Sequence, residues 1–219
     1  MPRKKALRFE NNMINEYIIQ DTKPIYNEIK GKWLEKVFKN DHPIVLELGC
    51  GKGEYTVGLA KIFPNKNFIG IDIKGDRIAV GGQYAQTNNI KNVCFLRAKV
   101  HDLLNFFQEN EVEEIWITFP DPHVLQSGIR RRMTNERFLE IYKYILKNNG
   151  ILHLKTDAKP FFEYSLKTLN DFGVKSIAHT DDLYQSEMNE KHYGIKTRFE
   201  QIFTDKGFKI NYLHCSFSE

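Results

Sequence analysis

The chain carries only three cysteines, Cys50, Cys94 and Cys215, and no CxxC pair. Three scattered thiols exclude a disulfide framework and argue against a zinc site built on cysteines. No apolar run is long enough to span a membrane. The opening residues, MPRKKALRFE, are basic but lack the apolar core of a signal peptide. There is no internal repeat and no low-complexity segment. A large excess of one charge is also lacking: the net charge is +4 and the pI about 8.8, a mild tilt toward anionic partners and far from a histone-like composition. These absences lead us to expect a soluble cytoplasmic protein without a structural metal, either a monomer or a homodimer. What remains is ordinary globular material. The 219 residues are 41% hydrophobic and 27% charged, enough for one large α/β domain with its own core.

Residues 1–40 read as a basic N-terminal extension, with Arg3, Lys4, Lys5 and Arg8 in its arm and a helix in PIYNEIKGKWLEKVF. A basic arm of this kind is ordinarily a solvated tail. The main domain is expected over 41–219. From Pro43 apolar strands alternate with helical stretches. Strands are predicted at 44–49, 68–72, 93–98, 114–119, 151–156, 175–180 and 208–217. Thr134 is the expected N-cap of the helix in NERFLEIYKYIL, and Asn149-Gly150 its end. This alternation predicts a largely parallel sheet covered by helices on both faces.

In a parallel sheet the strand carboxyl ends share one rim, where ligands bind. Glu47, Asp72, Asp102, Asp121 and Asp157 all fall at or near those ends. Each alone reads equally well as a loop acid or a helix cap. The glycines of LELGCGKGEY, at 49, 51 and 53, form a strand-to-helix turn that lets a ligand approach the backbone. Asp72 is placed to accept hydrogen bonds from ribose hydroxyls. A dinucleotide fingerprint needs glycine where this chain has Glu54, and an acid at that helix start is poorly matched to a pyrophosphate. Glu47 suits a cofactor with a cationic part. S-adenosylmethionine, with an ammonium, a sulfonium and no phosphate, fits best.

A second stretch, IWITFPDPHVLQSGIRRRMT, joins an apolar strand to an aspartate between two prolines and then to Arg130, Arg131 and Arg132. The prolines restrict the backbone around Asp121. A triple arginine is usually a solvated run, but beside this turn it is placed to meet nucleic-acid phosphates. Trp116 and His153 lie in strands and read as packing.

Taken in order, VLELGCGKGEYTVGLA, FIGIDIKGDRI, ITFPDP, LHLKTD and IKTRFEQ resemble the motifs of the bacterial tRNA (guanine-N7-)-methyltransferase family. The likeness runs from about Pro43 to Phe203. It implies a class I, Rossmann-like methyltransferase fold with a seven-stranded, mostly parallel sheet. It implies S-adenosylmethionine as cofactor and a guanine in the tRNA variable loop as target. It makes Asp121 the catalytic carboxylate, also near the cofactor. It assigns cofactor contacts to Glu47, Asp72, the glycine loop and a position after the third strand. It puts Asp157 and Thr197, Arg198, Phe199 and Glu200 at the substrate. Relatives usually carry an acid just past the third strand. Here the matching position is Lys99, with Asp102 one turn on. After the PDP turn, His123 replaces a usual tryptophan, and Leu125 stands where a lysine is usual. Two other readings share these residues: a methyltransferase acting on an exocyclic amine, and a non-catalytic RNA-binding module on the same fold.

Overall fold

The computed structural model describes residues 8, 10–174 and 176–217. Arg3, Lys4 and Lys5 lie outside them. The sheet comprises β1 (Ile18–Ile19), β2 (Ile44–Leu48), β3 (Asn67–Asp72), β4 (Val93–Arg97), β5 (Val112–Thr118), β6 (Leu146–Thr156), β7 (Ile177–Thr180) and β8 (Asn211–Ser216). The strand order is β1-β4-β3-β2-β5-β6-β8-β7. All pairings are parallel except those of β8 with β6 and β7. The order turns back at β2, so the cleft above β2 and β5 is the switch point where such sheets take ligands.

Alternation of side chains explains the two unlike faces. Leu46 and Leu48 of β2, Ile115 and Ile117 of β5, and Leu152 and Leu154 of β6 share one apolar core. α3 (Glu136–Ile145) and α4 (Lys159–Asp171) pack over it. The opposite face carries Val45, Trp116 and Tyr212 under α1 (Glu54–Ile62) and α2 (Gly75–Thr87). On that face the same alternation also buries Glu47, Thr118, His153 and Lys155. Trp116 and His153 are packing residues, as expected, with ring centroids 3.8 Å apart.

Four expectations need correction. The seven expected strands are present, and an eighth precedes them: Ile18 and Ile19 pair with Phe95 and Leu96. The segment read as an extension is therefore part of the domain from at least residue 18. Ile29 and Trp33 are fully buried, and Trp33 stacks on Phe107 and donates its indole N–H to the Phe106 carbonyl at 2.8 Å. Instead of one helix, this segment forms a 3₁₀ turn at Pro24–Asn27 and a π-helical turn at Leu34–Phe38. Asn135, not Thr134, is the N-cap of α3; Thr134 is buried and its hydroxyl bonds that of Ser165 at 2.8 Å. β6 begins at Leu146, before Asn149-Gly150, because a register irregularity against β5 absorbs the polar stretch inside the strand.

Candidate active site

At the switch point lies an open cleft of about 470 Å³. One wall is Glu47, Gly49, Gly51, Thr118 and Phe119 from the ends of β2 and β5. The other is Thr197, Arg198, Phe199 and Ile202, at the start of α5 (Arg198–Asp205). Cys50, Lys52, Glu54 and Arg77 complete the lining.

The glycine loop is shaped by left-handed backbone. Gly51 has φ 56°, and a Cβ built there would meet nothing within 4 Å, so the loop leaves room for a ligand at that point. Gly53 serves packing instead: with φ 74°, a Cβ there would collide with the Phe95 ring. Asp72 braces the loop from below. Its carboxylate accepts the Gly51 N–H at 3.0 Å and the Lys74 N–H at 2.8 Å.

Glu47 is the buried acid of the cleft. It accepts the Thr56 N–H at 2.8 Å and the Thr118 hydroxyl at 2.6 Å, and the Thr56 hydroxyl also donates to it. Burial pushes its carboxyl up to about 7, opposed by the Thr118 and Thr56 hydrogen bonds and by the Lys155 ammonium. A raised carboxyl of this kind contributes stability that is complete below the unfolded range and is lost as pH rises through the folded value. The span from 4.5 to about 7 corresponds to about 3 kcal/mol. Glu47→Gln should remove that loss in the ligand-free protein. Chemical denaturation from pH 4 to 8 should show the variant gaining on wild type by about that amount across the window. Parallel curves would contradict the assignment. A cationic ligand over Glu47 would favour the ionised form, so a buried acid beside an open glycine loop fits the ammonium and sulfonium of S-adenosylmethionine.

The Pro120-Asp121-Pro122 turn is framed by two left-handed non-glycine residues, Phe119 at φ 49° and His123 at φ 42°. A residue before proline normally stays extended, so Phe119 is strained, as backbone at functional turns often is. Asp121 stands out from this turn with its side chain 74% exposed, and Oδ1 accepts the His123 N–H at 3.1 Å.

The arginine run divides. Arg130 and Arg131 are exposed, whereas Arg132 is buried. Arg132 donates to the carbonyls of Pro122 at 3.1 Å and His123 at 3.1 Å, and its guanidinium lies 4.4 Å from the Tyr164 ring centroid. It ties down the turn that carries Asp121. The reading of Arg132 as a phosphate contact gives way to this structural role, because the side chain is buried and its Nε and Nη2 donate inside the protein.

Of the residues singled out from the sequence, the fold brings Glu47, Gly49, Gly51, Thr197, Arg198 and Phe199 to one cleft. Asp72 sits behind the loop. Asp121 is two residues beyond Phe119 on the rim, and Asp157 is half-buried at the end of β6. Lys99 is exposed, and Asp102 pairs with His101 at 3.3 Å; neither lines the cleft. Glu200 is fully buried and faces inward, with Oε1 2.7 Å from the Lys155 ammonium. Sequence reasoning missed Lys155 and Thr118. The signal available was a lysine and a threonine inside apolar strands, each two positions from another buried side chain of the same face.

The sheet order and the glycine-loop cleft define a class I methyltransferase. Solved structures share the fold. The 16S rRNA methyltransferase KamB superposes with a TM-score of 0.63 at 14% identity, covering 85% of this chain and 93% of its own. The sequence family described as "Putative methyltransferase" matches residues 41–213. A tRNA (guanine-N(7)-)-methyltransferase from Cytophaga hutchinsonii is 42% identical over 99% of both chains. One from Porphyromonas gingivalis is 47% identical over 87% of this chain and 78% of its own. The chain belongs to the tRNA (guanine-N7-)-methyltransferase family. Among the described residues no helix is long and apolar enough to cross a membrane.

Proposed function

We propose that this protein transfers a methyl group from S-adenosylmethionine to N7 of a guanine in the tRNA variable loop. The observation that carries the reading is the buried Glu47 carboxylate beside the open Gly51 backbone, in a chain of this family. The cofactor, when bound, supplies an activated methyl on a sulfonium. Guanine N7 has an in-plane lone pair and no proton to lose, so the protein's task is alignment and electrostatics. Glu47 would meet the cationic side of the cofactor, with Thr56 and Thr118 fixing the carboxylate. Gly51 gives backbone room, and Asp72, which holds the loop through the Gly51 N–H, would accept the ribose hydroxyls. Asp121 orients the guanine edge and faces the positive charge that develops on the base. Phe199 and Arg198 from α5 are assigned to the substrate, as is Asp157 at the end of β6. A tRNA substrate sets the place of work in the cytoplasm.

The test is methyl transfer to bulk tRNA followed by mass spectrometry of the nucleosides. N7-methylguanosine supports the reading. Methylation of an exocyclic amine would move the enzyme to a different class of nucleobase methyltransferase, and tRNA binding without transfer would make it a binding module.

Arg130 and Arg131 are exposed in the segment that follows the Asp121 turn and are assigned to tRNA phosphates. Neutralising both should weaken tRNA binding and reduce the slope of log affinity against log salt by up to about two, since each lost contact releases fewer counterions. Cofactor affinity should not change. An unaltered salt slope would make the pair an ordinary solvated surface run.

A further inference from the structure

Lys155 is a lysine with no exposed surface, in the strand next to the one that ends in the Asp121 turn. Its ammonium lies 2.7 Å from Glu200 Oε1, with both side chains at 0% exposure. The Tyr184 hydroxyl donates to the same oxygen at 2.6 Å. The nitrogen also lies 4.9 Å from the Tyr55 ring centroid and 5.8 Å from that of Phe119. A buried ion pair is a weak device for stability alone, because desolvation offsets most of its attraction. An apolar pair of similar volume would serve the core as well, so the placement of these charges asks for another reason.

The reason lies in what Glu200 carries. It is in the first turn of α5, and its backbone N–H is capped by the Thr197 hydroxyl at 3.1 Å. That turn supplies Thr197, Arg198 and Phe199 to the cleft. Three attachments hold it against the opposite wall. The Arg198 N–H donates to Glu54 Oε2 at 2.7 Å, Phe199 packs on Phe119 at 5.4 Å, and Glu200 meets Lys155. Of the three, only the last is buried on both sides. Lys155 is also in register with Thr118, whose hydroxyl is bonded to Glu47, and the Phe119 N–H donates to the Lys155 carbonyl at 2.9 Å. One residue thus touches the chain of contacts to both walls.

We propose that Lys155 is a positioning residue of the methyl-transfer site: through Glu200 it fixes the α5 wall against the strand ends that carry Glu47 and Phe119. The inference rests on the reading of the cleft as the site of transfer to tRNA. With the pair intact, the α5 side chains stand at a set distance from the glycine loop. Without it, the wall keeps the Arg198–Glu54 and Phe199–Phe119 contacts and the Tyr184 hydroxyl at residue 200, none of which ties it to β6, and the reacting groups lose alignment.

The variants are Lys155→Met, Glu200→Gln and the double substitution, which leaves no unpaired buried charge. Thermal melts identify the folded variants. With saturating tRNA and S-adenosylmethionine, the folded double variant should transfer methyl about tenfold to a hundredfold more slowly in a single turnover, the scale of a misalignment of order 1 Å. Calorimetric affinity for S-adenosylmethionine and KM for tRNA should change far less than the rate. Where the singles fold, their losses should not multiply in the double variant, since each breaks the same contact. A folded double variant with the wild-type rate would overturn the assignment. So would a double variant that cannot fold, which would make the pair a requirement of the core. A wild-type protein that transfers no methyl to tRNA would instead remove the functional reading, and this inference with it.

Discussion

Asp121→Asn should lower the rate of methyl transfer by a factor of about a hundred or more, the scale seen when one preorganised electrostatic group is removed. The substitution keeps the shape of the side chain and the Pro120 and Pro122 constraints. It also keeps an acceptor oxygen for the His123 N–H, so the turn should persist. What it removes is the negative charge at the rim and one acceptor. Because the side chain is 74% exposed, thermal stability should hardly change. Cofactor affinity should fall less than the rate does, since the contacts to the glycine loop are untouched. N7 loses no proton, so the wild-type rate should show no steep rise with pH from a catalytic base. Single-turnover transfer of labelled methyl to tRNA, run beside a melting curve, checks all of this. A folded Asp121→Asn protein with a near-normal rate would reduce the carboxylate to part of a strained turn.

Trp33→Ala should cost about 3–5 kcal/mol of stability, the usual range for removing a buried large aromatic. Trp33 is fully buried, stacks on Phe107 with centroids 5.3 Å apart and planes 9° apart, and donates its indole N–H to the Phe106 carbonyl. Alanine would leave a cavity and strand that carbonyl without its donor. Urea denaturation gives the number. A loss below about 1 kcal/mol, typical of an exposed position, would return residues 18–38 to the status of an appendage. Trp33 does not line the cleft, so the folded fraction should retain its cofactor affinity.

Much of the site was legible because it is encoded locally. The glycine spacing of LELGCGKGEY, the acid closing FIGID and the proline-bracketed Asp121 each report a backbone requirement that short-range chemistry states outright. The divided role of the arginines was not legible. Arg130, Arg131 and Arg132 are identical in type, and only the path of the following chain decides that Arg132 turns inward to the Pro122 and His123 carbonyls. Glu200 was read as a substrate contact from its motif, yet its side chain points to Lys155, 45 positions earlier in the chain. Thr134 had the right type for a cap and the wrong neighbour, since Ser165 takes its hydroxyl.

By itself the sequence determined the strand–helix alternation, the rim on which the acids gather and the family of the chain. Periodicity, turn residues and motif order are properties of neighbouring positions, and they survive without knowledge of the fold. The tertiary structure alone decided which charges are buried, which polar groups meet and where the domain begins. Ile18 and Ile19 become a strand only because β4 offers them an unpaired edge, and Trp33 becomes core only because Phe106 and Phe107 stand opposite. The Glu47 carboxyl is pushed up only because α1 and β5 bury it, against the lowering effect of the Thr56 and Thr118 hydrogen bonds. Burial and pairing depend on contacts between distant segments, and the free energy of a charge is set by those contacts rather than by its neighbours in the chain.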